Sequence, residues 1–174
     1  MKLSSRVLTI ATVLFLSIGC DQAVKILAKR SLENVAPLSL FHDFVRLQYA
    51  ENSGIMLSIG AGLSPGARFW AFIVVVGILL GAILLYTVWS REMDRTQAVA
   101  WTLIASGGLA NLLDRVTKNG VVIDYISIGI GVVRTAVFNI ADTLVFVGVF
   151  LLLLHGTRKS TPDAPTKISQ DGSP

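Results

Sequence analysis

The chain has 174 residues, 53% of them hydrophobic and only 15% charged, where a soluble domain carries about a quarter charged residues. The apolar excess lies in runs of membrane-spanning length, so the composition describes an integral membrane protein. A net charge of +4 without a basic, aromatic-interleaved patch excludes nucleic acid as a partner. The single cysteine and two separated histidines, His42 and His155, leave no disulfide and no metal-ligand set.

The first apolar run follows Lys2 and Arg6 and reaches Leu16-Ser17-Ile18-Gly19-Cys20. It resembles a secretory signal, even a lipoprotein signal ending at its cysteine. Ser17 stands where such a signal usually has Leu, and the helical pattern continues through Asp21-Gln22-Ala23-Val24-Lys25-Ile26-Leu27-Ala28. The run is therefore an uncleaved first span over about residues 7–28, with Cys20 as a small packing residue. Asp21 and Lys25 stand at i and i+4, acid first, the favourable order for a helical ion pair. Inside a span they are expected to clamp the structure beside a site.

Residues 29–68 form the longest polar connection. Alternation through Phe44-Val45-Arg46-Leu47-Gln48-Tyr49 predicts a strand, and Asn52-Ser53-Gly54 a turn. Ile55-Met56-Leu57-Ser58-Ile59 is apolar again before Gly60, Gly62, Pro65 and Gly66 break the chain. A small β-platform on the membrane is expected, with Met56 and Leu57 buried in lipid, in a partner or in the protein's own fold.

A second span covers about 69–90, with Trp70 at one end and Tyr86 and Trp89 at the other, as in aromatic belts. Arg91-Glu92-Met93-Asp94-Arg95 is a charged turn. The third span, about 98–113, is short, which puts Asp114 and Arg115 near an interface. Gly107, Asn111 and Arg115 recur every four residues on one face. Gly107 and Gly108 permit close helix approach, and Asn111 on that face needs a polar partner.

Asn119-Gly120 marks a turn, and Val121-Val122-Ile123-Asp124-Tyr125-Ile126-Ser127 is apolar apart from one acid. Those flanks should bury and desolvate Asp124. In the fourth span, about 138–154, Asn139 and Asp142 share a face, and Asp142 lies about one turn inside the apolar run, too deep to be a cap. Residues 1–156 thus make one membrane domain of four helices, and 157–174, rich in Pro, Ser, Asp and Lys, is expected to be a disordered cytoplasmic tail.

Four spans in series put Asp21, Lys25, Asn52, Asn111, Asp114, Arg115, Asp124, Asn139 and Asp142 on one side, opposite both termini. The compact Arg91–Arg95 turn, with Lys2, Arg6, Arg158 and Lys159, favours cytoplasmic termini. The sequence lacks G-x-S-x-G, H-E-x-x-H and a glycine-rich phosphate loop. Two carboxylates at one membrane face remain. Such a pair shares a proton, one member taking a proton from water while the other donates to a carbonyl, which hydrolyses an amide without metal or covalent intermediate. A small proton or ion carrier would also use intramembrane acids, though nearer a helix centre, and a non-enzymatic adaptor would use the 29–68 platform for docking.

Taken together, Asp21-Gln22-x-x-Lys25, Tyr49-x-x-Asn52-x-Gly54, Gly107-Gly108-x-x-Asn111-x-x-Asp114-Arg115, Val122-x-Asp124 and Phe138-Asn139-x-Ala141-Asp142 resemble the ordered motifs of the lipoprotein signal peptidase (signal peptidase II) family. The resemblance implies a mainly α integral membrane protein of the bacterial inner membrane, with four transmembrane helices and a small extracytoplasmic β-platform. It implies Asp124 and Asp142 as the catalytic dyad of an aspartic endopeptidase. Asn52, Gly54, Asn111, Arg115 and Asn139 would line the substrate site, and Asp21, Lys25, Gly107, Gly108, Asp114 and Ala141 would support it. The implied substrate is a diacylglyceryl-modified prolipoprotein, cut just before its lipid-bearing cysteine, with membrane lipid as the other partner and no cofactor or metal. Two departures, Glu51 before Asn52 and Ile55-Met56-Leu57 after Gly54, bear on substrate preference rather than on the reaction.

Overall fold

The computed structural model describes residues 3–54 and 59–159. Ile55, Met56 and Leu57, and the tail from residue 160 on, lie outside the described residues. Helix α1 (Leu3–Leu32) runs unbroken through Cys20 and Asp21. Cys20 was expected to pack inside the bundle; it is exposed on the outer surface of α1 instead. Helix α2 (Pro65–Phe69) is capped by the Ser64 hydroxyl, which accepts from the Ala67 N–H at 3.3 Å. It passes through a π-helical stretch, Trp70–Val75, into α3 (Val76–Trp89). Helix α4 (Arg95–Thr117) starts with a capping box, in which Asp94 accepts from the Gln97 N–H at 2.9 Å and Gln97 accepts from the Asp94 N–H at 3.2 Å. Helix α5 (Ile140–Lys159) closes the bundle and carries residues 157–159, assigned above to the tail, as helix.

Among the described residues three helical runs are long and apolar enough to cross a membrane, Leu3–Leu32, Pro65–Trp89 and Ile140–Thr157. Helix α4 is long enough but more polar, and its position explains why. It packs against α1, α3 and α5, so its small and polar residues Ala98, Thr102, Ala105, Ser106 and Ala110 face neighbouring helices rather than lipid. The outer helices expose Phe15, Trp70, Tyr86, Trp89 and Phe146, as lipid-facing surfaces do.

Two glycines set the spacing around α4. A Cβ on Gly107 would sit 2.3 Å from the Ala141 carbonyl oxygen of α5, and one on Gly108 would sit 2.5 Å from the Leu80 side chain of α3. At the opposite end of the bundle Arg6 is buried, and its guanidinium donates to the carbonyls of Ser90 and Met93. It fastens α1 to the α3–α4 turn, where the sequence offered only a flanking positive charge.

The platform is a four-stranded antiparallel sheet in the order β1-β2-β3-β4. Strand β2 (Val45–Asn52) comes from the long connection, as the alternation predicted, and β1 (Leu38–Leu40), which the alternation did not mark, precedes it there. Strands β3 (Val122–Ile130) and β4 (Val133–Arg134) come from the loop between α4 and α5. The sequence presented that loop only as a carrier of Asp124. Ala28 and Leu32 of α1 form a core with Ile123 and Tyr125, which seats the sheet on the end of α1.

Candidate active site

Three elements meet above the end of α4. Asn52 pairs with Val122 across β2 and β3, and Ala50 pairs with Asp124. Side chains two residues apart on a strand share a face, so Asn52 and Asp124 are diagonal neighbours. Asn52 Nδ2 donates to Asp124 Oδ2 at 3.1 Å. The Asn52 orientation is settled by the turn that follows, because its Oδ1 accepts the Gly54 N–H at 3.0 Å. Phe138 bridges to Ile126, donating its N–H to Ile126 at 2.8 Å and accepting from the Tyr125 and Ile126 N–H groups. That bridge delivers the start of α5 to β3.

Asp124 is buried at 3% exposure. Its Oδ1 accepts from Asn139 Nδ2 at 2.6 Å. Burial, and then the nearby charge of Asp142, push its carboxyl up to about 6, against the opposing pull of the Asn52 and Asn139 hydrogen bonds and of Lys25. Tyr125, whose hydroxyl accepts the Ile140 N–H at 3.3 Å, is pushed by burial to about 12 and stays neutral.

Asp142 lies in the first turn of α5 rather than a full turn inside a longer helix. Asn139 Oδ1 accepts the Asp142 N–H at 2.9 Å, and Asp142 Oδ2 accepts the Asn139 N–H at 3.2 Å. This is a reciprocal cap built from Asn and Asp, and it corrects the expectation that Asp142 is too deep to cap. The other carboxylate oxygen, Oδ1, accepts from Asn111 Nδ2 at 2.8 Å.

Below the two carboxylates sits a buried charged cluster. Lys25, with no exposed side-chain surface, contacts Asp21 at 2.8 Å, Asp114 at 2.9 Å and Asn111 Oδ1 at 2.8 Å. Asp21 also accepts the Ala141 N–H at 2.9 Å, a carboxylate at a helix N-terminus where free N–H groups favour negative charge. Asp114 accepts from Gln22 at 2.9 Å, from Lys118 at 2.5 Å and from the Ile123 N–H at 3.3 Å. The clamp expected from Asp21 and Lys25 is therefore a junction of α1, α4, α5 and β3. Isolated buried charges are costly to leave unpaired, and here each has at least two partners.

Arg115 bonds to backbone carbonyls, that of Asn111 at 3.3 Å among them. Its Nη2 donates to the Gly54 carbonyl at 2.6 Å and its guanidinium lies 5.8 Å from the Phe72 ring centroid. It thus holds the turn after β2 against α4 and the π-helical stretch. The residues singled out from the sequence are brought together: Asn52, Gly54, Asn111, Arg115, Asp124, Asn139 and Asp142 at the carboxylates, and Asp21, Lys25, Asp114 and Ala141 beneath them. Gln22, Lys118, Phe72 and Tyr125 had no assigned role. Only Gln22 and Tyr125 carried a signal, as members of the quoted stretches around Asp21 and Asp124.

Two carboxylates in one desolvated site, one with its proton affinity raised, suit general acid–base chemistry at a polarised carbonyl. Among the described residues no group of three or more His, Cys, Asp or Glu is placed to hold a metal.

The family model described as signal peptidase (SPase) II matches residues 13–158. The chain belongs to the signal peptidase II family. It is 34% identical over 155 residues to a lipoprotein signal peptidase of Sphingopyxis alaskensis, covering 85% of this chain and 87% of that one. It is 34% identical over 158 residues to one of Geobacter metallireducens, covering 91% and 94%. In fold it is similar to a bacterial membrane enzyme solved by the in meso method, with a TM-score of 0.73 and 23% identity over 95% of this chain and 94% of that chain. Signal peptidase II membership agrees with the resemblance carried by the five motifs, and the four-helix layout with its small antiparallel sheet is the expected fold.

Proposed function

We propose that this signal peptidase II removes signal peptides from prolipoproteins with Asp124 and Asp142 as its catalytic dyad. The observation that carries the reading is the pair of asparagines, Asn111 and Asn139, joined at 3.1 Å, each donating to one of the two carboxylates. The pair holds one proton, and the raised proton affinity of Asp124 supports placing it on that carboxyl. Asp142, held by the Asn111 amide and the Asn139 N–H, takes a proton from water as the water oxygen attacks the scissile carbonyl carbon. Asp124 gives its proton to the carbonyl oxygen. Collapse of the resulting diol returns a hydroxyl proton to Asp124, Asp142 protonates the leaving amine, and the peptide C–N bond breaks. Asn52, Asn111 and Asn139 position the acids, and Arg115 with Gly54 forms a wall against the substrate backbone.

The substrate is a diacylglyceryl-modified precursor cut just before the modified cysteine. A dyad at the edge of a membrane cannot choose one bond among many unless the substrate is held at a fixed depth. A diacylglyceryl group does this, since each buried methylene contributes about 0.8 kcal/mol. Both termini are cytoplasmic and the dyad lies near the extracytoplasmic face, in keeping with the compact basic Arg91–Arg95 turn. The test is cleavage by the purified protein of lipidated and unlipidated forms of one precursor, with the cut located by mass. The lipidated form is cleaved far faster, before the cysteine; equal rates would remove lipid from the mechanism.

A further inference from the structure

Lys25 is too far down the bundle to be a second acid or base, yet its contacts reach the carboxylates through a single side chain. An ammonium has three protons and no acceptor, and Lys25 spends them on Asp21, Asp114 and Asn111 Oδ1. The amide of Asn111 therefore has only one orientation. Its oxygen must face Lys25, and its nitrogen must face Asp142, where Nδ2 stands 2.8 Å from Oδ1. Asn139 is fixed independently, because its Oδ1 accepts the Asp142 N–H at 2.9 Å. Its Nδ2 is then left to donate to Asp124 Oδ1 at 2.6 Å and to Asn111 Oδ1 at 3.1 Å. Asn111 Oδ1 thus receives protons from both sides and its amide group cannot turn over.

We propose that Lys25 is a positioning residue for the reaction: by locking the Asn111 amide it keeps a hydrogen-bond donor, and not an acceptor, facing Asp142 Oδ1. The inference rests on the assignment of Asp124 and Asp142 as the dyad. A reversed Asn111 would present its oxygen to Asp142, a contact that needs the shared proton on that carboxylate, and would so disrupt the assignment of acid and base within the pair. The charged and titratable groups around the pair are Asp21 and Lys25 from α1, Asp114, Arg115 and Lys118 from α4, and Asp124 and Tyr125 from β3. Of these, Lys25 alone is a fully buried cation bonded to an amide that touches the dyad. Among the described residues Lys118 reaches Asp114, and Arg115 reaches the Gly54 carbonyl and, at 3.3 Å, the backbone carbonyl of Asn111 rather than its amide.

The test uses the full chain in lipid, a lipid-modified precursor, initial rates from about pH 4 to about pH 8, and thermal unfolding of each variant. Lys25→Gln/Asp114→Asn removes one positive and one negative charge together, so the cluster keeps its net charge. Its kcat falls about tenfold or more with KM within about twofold, and the acid limb of the rate profile moves up by about half a pH unit or more. Asp114→Asn alone, which keeps Lys25, shows no upward movement. If the double variant does not fold, Asn111→Asp puts a carboxylate between Lys25 and Asp142, and its acid limb moves up by about one pH unit. A wild-type acid limb in the folded double variant, or in Asn111→Asp where that is the variant that folds, overturns the role of Lys25. So does a loss of rate that only follows the unfolded fraction. Asp124→Asn and Asp142→Asn run in the same assay: cleavage by either sinks the dyad itself, whereas two inactive variants beside an unmoved limb sink only the positioning role.

Discussion

Asn139 and Asp142 cap each other across the first turn of α5, Asn139 Oδ1 taking the Asp142 N–H at 2.9 Å and Asp142 Oδ2 taking the Asn139 N–H at 3.2 Å. One carboxylate therefore caps a helix and, in the proposed mechanism, also stands in the reacting pair. The two roles separate on substitution. Asp142→Asn keeps an acceptor oxygen for the cap, so it should lose cleavage while its stability stays within about 1 kcal/mol of wild type. Asn139→Ala should lose about 1–2 kcal/mol from the cap and also release Asp124. Melting temperature and turnover measured on the same samples would show the split, and an active Asp142→Asn would remove the dyad.

Asp124 stores instability. Its carboxyl stands at about 6 in the folded protein against 3.8 for an ordinary aspartate. Between those values the native state holds a proton that the unfolded chain has released, so stability is full below about pH 4 and falls as pH rises to about 6. At about 1.4 kcal/mol per pH unit, the loss amounts to about 2–3 kcal/mol. Asp124→Asn cannot ionise and should escape it. Above pH 6 the variant should melt higher than wild type while being inactive, and near pH 4 the two should converge. A constant difference at every pH would contradict the linkage.

Arg115 joins α4 to the turn at Gly54 through its hydrogen bond, and its charge also acts on Asp124 and Asp142. Arg115→Ala should reduce activity at least tenfold with a smaller relative loss of stability, since in the proposed mechanism the wall it holds faces substrate. Arg115→Lys should recover little, because one ammonium cannot reach Gly54 and stack over Phe72 together. Stability collapsing in step with activity would make it a folding residue only.

Gly107 and Gly19 provide a matched pair. Alanine at Gly107 drives a methyl to 2.3 Å from the Ala141 carbonyl, whereas at Gly19 nothing lies within 4 Å. Gly107→Ala should cost about 1–3 kcal/mol and, by pushing α5 from α4, lower turnover as well. Gly19→Ala should match wild type in both thermal melting and cleavage.

The side on which the dyad lies is open to direct measurement. A reporter fused after Met93 should read as cytoplasmic and one placed at Gly62 as external. The opposite pattern would put the carboxylates on the wrong face for exported precursors.

Much of the site was legible because helical spacing is short-range. The i, i+4 steps from Asp21 to Lys25 and through Gly107, Asn111 and Arg115 fix shared faces before any fold is known. The apolar flanks of Asp124 likewise foretold its burial, and the alternation at Phe44–Tyr49 foretold β2. What could not be read was pairing over long separations. Nothing in Val122–Ile130 announces that it joins β2, some seventy residues earlier, with the offset that sets Asn52 diagonal to Asp124. The second and third partners of Lys25, Asp114 and Asn111, lie on another helix, and no periodicity links them to Lys25. Asp142 looked deep because Phe138 extends the apolar run ahead of the helix, although Phe138 belongs to the sheet through its bridge to Ile126. Cys20 looked like packing because small residues often pack; on α1 its face turns outward.

The polar character of α4 has a bearing on how the protein is made. Translocation machinery releases a helix to lipid according to its own apolarity, and Arg, Asp and Asn near a helix centre weigh heavily against release. Helix α4 carries Asn111, Asp114 and Arg115 toward one end, and small or polar residues such as Ala98, Thr102, Ala105, Ser106 and Gly107 interrupt its apolar positions elsewhere. It follows α3 after the five-residue turn Ser90–Asp94, so the two can enter as a hairpin, α3 shielding α4 on one side. Lys25 and Asp21 of α1, already in the bilayer, can then receive Asp114 and Asn111. On this route the charge cluster under the dyad is neutralised as the helices meet, and α5, the last and apolar segment, completes the assembly by docking its N-terminus on Asp21.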